Sequence, residues 1–336
     1  MDDQQQGPPP PADLVLELSS YGYHVQRVIG RGRYGMVVAA SSADTGCCAI
    51  KLIPRGASIE STYMQREITN HATMKHPFII QLKLAFLSPQ YLCLVMELGS
   101  MDLAQFCESQ AGGRLAEDTA RHLMRQMLVG LDYMHRLGIS NRDLKLENVL
   151  LTYQDQNIVA KLSDFGYSKD RNKHSTARSG VGTVGYTAPE VIIGGIAYDA
   201  DATDIWSLGV MLYVMIAGRF PFDVQSKSCS QDIVQGSFRP LEDGLNLSQG
   251  LLRLLRRMLE PSPRKRATIA EIMQHEWVVD GLGGYRLETG SAYGERLELG
   301  PSVERNIEEL VRRAVQRKEH DKNEGALVCV FNNEPE

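Results

Sequence analysis

The sequence predicts an α+β chain of two lobes: a small antiparallel β-rich lobe with one key helix, then a larger, mainly helical lobe. Three observations carry this. Residues 23–99 are short apolar or β-branched runs broken by Gly, Ser and Asp, with one helical pattern among them. Residues 102–278 are mostly long stretches with apolar residues at helical spacing. The length, 336 residues, suits about two domains or one two-lobed unit.

Residues 1–21 hold four acids, no Lys or Arg, and the consecutive prolines Pro8 to Pro11. Proline fixes φ and lacks a donor, so this head is expected to be disordered or polyproline II. A ligand role for an SH3-type partner is the alternative use of such a run. The small lobe, about 22–98, reads as strands in "YHVQRVIG", "GMVVAASSA", "CCAIKLI" and "YLCLVMEL". Between the last two, Ile59, Tyr63, Met64, Ile68 and Met74 recur at helical spacing until Pro77 ends the pattern.

In the large lobe, about 99–278, one helix face carries Ala120, Leu123, Met124, Met127, Leu128, Leu131 and Met134, with Gly138 as its stop. "DATDIWSLGVMLYVMIAG" is apolar enough for the centre of a lobe. "SQGLLRLLRRMLE" and "TIAEIMQHEWV" close the region as helices. The tail, 279–336, starts Gly-rich and then offers an amphipathic helix over about 302–320 with Ser302 as N-cap. Its stripe is Val303, Ile307, Leu310, Val311 and Ala314. That stripe can dock on the small lobe or recruit a partner; docking within the chain is the expectation.

Apolar residues make up 43% and charged residues 23%, an ordinary globular composition. Thirty-six bases against 41 acids leave −5, too mild for a nucleic-acid binder. Cys47, Cys48, Cys93, Cys107, Cys229 and Cys329 form no C-x-x-C pair, so neither a zinc site nor a disulfide framework is expected. Free thiols suit a reducing compartment, cytoplasm or nucleus. No uninterrupted apolar run reaches the ~18–20 residues of a membrane span. No targeting peptide is expected either, because the first residues have no Arg and no apolar core.

Gly30, Gly32, Gly35 and Val37 match G-x-G-x-x-G-x-V. Glycines let a hairpin backbone approach phosphate oxygens. A dinucleotide-binding loop of similar spelling should open into a helix, whereas this one runs into a strand. Lys51 follows at a strand end, and Glu67 sits mid-helix. Paired, they would hold the lysine on the α- and β-phosphates of a nucleotide. In "SNRDLKLENVLL", Asp143, Lys145 and Asn148 are polar residues in an otherwise apolar stretch, and Asp164 follows in "VAKLSDFGYS". Phosphoryl transfer from Mg-ATP needs such a set. Asp143 would orient the substrate hydroxyl or accept its proton, Lys145 would offset charge on the γ-phosphoryl group, and Asn148 and Asp164 are hard oxygen ligands for Mg²⁺.

With these motifs in order, residues about 23–278 resemble a eukaryotic protein kinase domain. The match continues through Ala188-Pro189-Glu190, through Asp204 and Trp206, and to Arg266. The resemblance implies ATP and Mg²⁺ as cofactors. It adds Ala49, Met96, Glu97, Leu98 and Leu150 to the nucleotide-binding residues. It also implies that Asp204 braces the catalytic loop and that Arg266 pairs with Glu190. Lys145 and "GTVGYTAPE" are similar to serine/threonine rather than tyrosine kinases. "REITNHATMKHPFII", "LVMEL", "DLKLENVLL", "DFGYSK" and "YVMIAGRFPF" resemble the plant and green-algal class 2 sucrose-non-fermenting-related stress kinases. That implies stress or nutrient signalling, activation-loop phosphorylation, an upstream kinase and a type 2C-like phosphatase as regulators; a monomer without nucleic-acid or membrane partners is expected.

The resemblance places an activation segment between Asp164 and Glu190. It makes Ser179 the expected phosphorylation site, with Ser175 and Thr176 as runners-up, and Arg142 the phosphate's partner. Thr183 is expected to contact Asp143 and Lys145. Asp102 and Glu147 match positions that read basic residues upstream of the acceptor. The sequence also departs from the family. Asn141 stands where His is usual, "LGSMDLAQF" is about one residue short, and the subfamily's acidic C-terminal block is absent. A fold kept only for binding is the rival reading, and among the motif residues Asn141 alone favours it.

Overall fold

The computed structural model describes residues 9–32, 35–56, 61–155, 157–165, 169–170, 184–194, 198–241, 247–283, 287, 296–316 and 327–331. Its elements begin with α1 (Ala12–Ser19), β1 (His24–Gly32), β2 (Gly35–Ser42), β3 (Gly46–Pro54), α2 (Ser61–Ala72), β4 (Leu82–Leu87) and β5 (Tyr91–Met96). There follow β6 (Met101–Asp102), α3 (Leu103–Ser109), α4 (Glu117–Arg136), β7 (Ile139–Ser140), β8 (Val149–Gln154), β9 (Asn157–Leu162) and β10 (Lys169–Asp170). The chain ends through α5 (Pro189–Ile193), α6 (Ala200–Ala217), α7 (Cys229–Gln235), α8 (Gln249–Met258), α9 (Ile269–Met273), α10 (Glu276–Val279), α11 (Pro301–Val315) and β11 (Val328–Val330). Two compact units result. Met1–Lys75, Ile80–Gly99 and Arg296–Glu336 form the first; His76–Ile79 and Ser100–Glu295 form the second.

The first unit is built on an antiparallel sheet of order β1-β2-β3-β5-β4-β11. Alternate residues of each strand face opposite ways. Val38, Ile50, Leu52, Cys93 and Val95 point to one side and pack with Leu14 and Leu18 of α1. Ile53, Leu92 and Leu94 belong to the other side, with Met64 and Ile68 of α2 and Ile307, Leu310 and Val311 of α11.

Helix α1 corrects the expectation of an unstructured head. Residues 1–8 lie outside the described residues, and Pro11 keeps polyproline-like angles (φ −56, ψ 139). Beyond it, Leu14 and Leu18, one turn apart, enter the sheet core beside Tyr21, Tyr23 and Phe86. Glu17 Oε1 accepts a hydrogen bond from Gln90 N at 2.9 Å. Each buried leucine contributes about 2 kcal/mol, enough to hold a helix too short to persist alone.

The tail helix α11 lies on α2, as the docking expectation requires. Gln65 Nε2 donates to Glu308 Oε1 at 3.2 Å. Ahead of the helix, Arg296 donates to Thr73 Oγ1 (3.1 Å) and Asn70 Oδ1 (3.0 Å) at the end of α2. At the other end, Arg55 donates to Arg313 O (3.2 Å) and Gly56 N to Ala314 O (2.7 Å), so the β3–α2 connection caps the last carbonyls of α11. Gly300, not Ser302, takes the N-cap position, because Pro301 already occupies the first helical place, where its missing N–H costs nothing. The helix ends at Val315; residues 317–326 lie outside the described residues. Deleting residues 299–336 is therefore expected to lower the melting temperature, and Leu310→Ala alone to cost about 2–5 kcal/mol in a urea titration. An unchanged melting temperature would contradict this packing.

In the second unit, α4 and α6 supply the core. Trp206, Leu208, Met211 and Tyr213 of α6 are fully buried. Helix α6 is long and apolar enough to cross a membrane by composition, although Asp201, Thr203, Asp204 and Ser207 interrupt its apolar run, yet most of it is buried as core. Asp199 caps its start and Gly218, at φ 67, its end. "TIAEIMQHEWV" forms two short helices, because His275 Nδ1 accepts from Trp277 N and starts α10 anew. The six cysteines are unbonded, and only Cys47 is exposed.

Candidate active site

In the first unit, Gly32 pairs with Gly35 at the end of the β1–β2 hairpin, whose tip residues 33–34 lie outside the described residues. Gly35 has φ +147, and a Cβ there would collide with the Leu52 carbonyl oxygen of β3. Only glycine lets the hairpin lie this close. Register pairs Gly30 with Val37, Val37 with Lys51, and Ala49 with Met96, so these side-chain positions share one sheet face. Glu97 and Leu98 follow β5, and Glu97 N donates to Gln81 O. Lys51 Nζ meets Glu67 Oε1 at 2.8 Å, both side chains being mostly buried. The pair spans β3 and α2, so α2 must be docked for the lysine to be held.

In the second unit, β8 and β9 form a hairpin whose base pairs Val149 with Leu162. The hairpin puts Asn148 beside Ser163, which donates through N (2.9 Å) and Oγ (2.8 Å) to Asn148 O. Asp164 comes next, in the left-handed region at φ +54. Asn148 Nδ2 donates to Asp143 O (2.9 Å) and Asp143 Oδ2 (3.0 Å), and Lys145 Nζ meets the same oxygen at 2.9 Å. Asp143 is 8% exposed. Burial pushes its carboxyl above the usual range, the Lys145 ammonium opposes this, and the charge of Asp164 adds to it. Asp143, Lys145, Asn148 and Asp164 are thus one cluster.

The cluster suits a divalent cation. Asn148 spends its Nδ2 on Asp143, and its amide oxygen and the Asp164 carboxylate are hard donors by chemistry. A cation held there would relieve the repulsion between the Asp143 and Asp164 carboxylates. When bound, magnesium would neutralise charge on the phosphates, while the chain's own residues would orient the reacting hydroxyl.

Buried supports hold this loop. Asp204 is fully buried and accepts from Asn141 N (2.9 Å), Arg142 N (2.8 Å) and His135 Nε2 (2.9 Å). Arg266 donates to both oxygens of Glu190, at 2.7 and 2.9 Å, and lies over the Trp206 ring. Arg142 Nη2 donates to Tyr198 Oη at 2.7 Å, while its Nε is buried with no partner among the described residues. Asp102 caps α3 by accepting from Gln105 N. Burial raises its carboxyl, and the nearby charge of Glu147 adds to that. Glu147 is exposed and lies 3.5 Å from Tyr186 Oη. Leu150 pairs with Asp102 across β6 and β8. Ser175, Thr176, Ser179 and Thr183 lie outside the described residues.

His135, Tyr198 and Ser163 are not evident in the motifs. A polar residue at the end of the apolar α4 face is the one signal for His135; Tyr198 has none. Ser163 is merely the residue before Asp164.

The protein kinase domain family matches residues 23–278. Serine/threonine-protein kinase SAPK4 of Oryza sativa subsp. japonica is 36% identical over 88% of this chain and 82% of its own. Serine/threonine-protein kinase SRK2G of Arabidopsis thaliana is 36% identical over 86% of this chain and 82% of its own. Serine/threonine-protein kinase SRK2D of Arabidopsis thaliana is 37% identical over 84% and 79%. With the catalytic cluster, the Lys51–Glu67 pair and the Glu190–Arg266 pair all in place, the chain belongs to the protein kinase family, among its serine/threonine kinases.

Proposed function

We propose that the chain transfers the γ-phosphoryl group of Mg-bound ATP to Ser or Thr hydroxyls of protein substrates in stress or nutrient signalling. The observation that carries it is the single cluster in which Asn148 bonds Asp143 and, through Ser163, adjoins Asp164. Asp143 orients the acceptor hydroxyl, Lys145 stabilises the transferring group, and Lys51, held by Glu67, steadies the α- and β-phosphates. Gly30, Gly32, Gly35, Val37, Ala49, Met96, Glu97, Leu98 and Leu150 hold the nucleotide. The neighbouring acids Asp102 and Glu147 favour substrates with Arg or Lys about three residues before the acceptor, because a basic side chain relieves their mutual repulsion.

The test is ATP turnover on paired peptides with and without the upstream Arg, with Asp164→Ala as control. Equal turnover by parent and control would refute the assignment, and indifference to the Arg would refute the substrate preference. Activation belongs to the same reading. A phosphate on Ser179 would meet Arg142, whose buried Nε still lacks a partner among the described residues. Ser179→Ala is expected to lower kcat about tenfold or more, a barrier change of about 1.4 kcal/mol. Full activity of a preparation that mass spectrometry finds unphosphorylated would overturn it. An upstream kinase, a type 2C-like phosphatase, a monomeric state without nucleic-acid or membrane partners, and a cytoplasmic or nuclear location complete the proposal.

A further inference from the structure

Asn141 stands two residues before Asp143, and its side chain is 0% exposed. Its Oδ1 accepts a hydrogen bond from Asp143 N at 3.1 Å. This closes a small side-chain turn over Arg142, whose backbone sits in the left-handed region at φ +69. Its own N–H is fixed to Asp204 Oδ2. Its Nδ2 is buried with no partner among the described residues. Turning the amide over would set a donor against the Asp143 N–H and strip the oxygen of its partner, so the orientation is determined by the turn.

A buried amide nitrogen without a partner destabilises the fold. A residue kept at such a cost has a use for its other atom. That atom is the oxygen, and what it holds is the backbone of the residue that faces the acceptor hydroxyl. We propose that Asn141 is a positioning residue for phosphoryl transfer: by closing the turn onto Asp143 N it fixes the direction of the Asp143 carboxylate. This rests on the role proposed for Asp143. Lys145 and Asn148 restrain that carboxylate from its far end; Asn141 restrains the backbone it springs from.

The same chain contains the chemistry of a replacement. His76 Nδ1 accepts from Phe78 N at 3.1 Å, and His275 Nδ1 accepts from Trp277 N at 3.3 Å, each across the same two-residue span. A neutral histidine at 141 can therefore close the turn that Asn141 closes, and an alanine cannot.

The experiment measures kcat, KM for ATP and melting temperature for the full chain and for Asn141→Ala, Asn141→His and Asp143→Asn. All are compared at matched phosphorylation of the activation segment and at about pH 8, where a histidine ring is neutral. Asn141→Ala is expected to lose about tenfold or more in kcat, with KM changed by less than about twofold, because only the geometry of the transition state suffers. The melting temperature should move little, since the variant loses one unpartnered donor and exposes another at Asp143 N. Asn141→His is expected to recover kcat to within about threefold of the parent. A kcat of Asn141→Ala within about twofold of the parent, a change confined to KM, or a loss that histidine does not recover each overturns the inference. Should Asn141→Ala not fold, the histidine variant decides alone: a kcat more than about tenfold below the parent overturns it. Asp143→Asn separates the two levels. If it stays active, the role of Asp143 fails; if it is inactive while Asn141→Ala is unimpaired, only the inference fails.

Discussion

Asp143→Asn is expected to lower kcat by about 10²–10⁴-fold, the usual contribution of a positioned acid–base group, without lowering the melting temperature. The carboxylate is nearly buried, and its folded pKa is raised, chiefly by burial. A carboxyl with a raised folded pKa destabilises the folded state in full above that folded pKa; the cost fades as pH falls through it and is gone below the unfolded pKa. A neutral amide of the same shape removes it, and Asn148 and Lys145 lose only the charge of their partner. Activity falls while stability holds or rises. Peptide phosphorylation assays with scanning calorimetry check both halves. Retention of more than about a tenth of parental kcat, or a variant that melts well below the parent, would sink the assignment.

Arg266→Ala is expected to cost about 3–5 kcal/mol, because it removes one partner of a buried pair and strands the other. The Arg266 side chain is 0% exposed, and beyond Glu190 it donates to the carbonyls of Ala202, Glu260 and Pro261. Its removal leaves a shielded Glu190 carboxylate and three carbonyls without their donor. At about 2–4 °C per kcal/mol for a unit of this size, the melting temperature should fall by about 10 °C. Arg266→Lys should recover little, since an ammonium cannot reproduce a two-toothed bond to the carboxylate and the stacking on Trp206. A loss under about 1 kcal/mol in urea titration would show the pair to be solvated after all.

Asp143 stands in a compact motif, and this is why the catalytic cluster is legible in the sequence. Asp143, Lys145 and Asn148 lie within six residues, so spacing alone brings them together. Lys51 and Glu67 are legible for another reason: alternation in β3 and helical period in α2 fix the face each occupies. The supports are less visible. Asp204 is 63 residues from Asn141, and Arg266 is 76 from Glu190, so only the family resemblance predicts those bonds. Helix α1 is hidden because its order comes from Leu14 and Leu18 meeting a sheet, not from its own propensity. Strand β11 is three residues long, and only its pairing with β4 makes it a strand. The role of Asn141 depends on the direction of one amide, which no residue pattern encodes.

The closure of the first unit by residues from Arg296 to Phe331 has a consequence for biosynthesis. Its core holds Ile53, Met64 and Ile68 from the early chain, and also Ile307, Leu310, Cys329 and Phe331. A polypeptide emerging from the ribosome therefore makes most of this unit first and finishes it last. The second unit, His76–Ile79 with Ser100–Glu295, has all its residues earlier. Vectorial folding, which ordinarily completes domains from the N-terminus onward, runs in reverse order here. Until synthesis reaches Phe331, the helix bearing Glu67 lacks part of its apolar cover, so a nascent chain cannot complete this unit before residues 307–331 have been made.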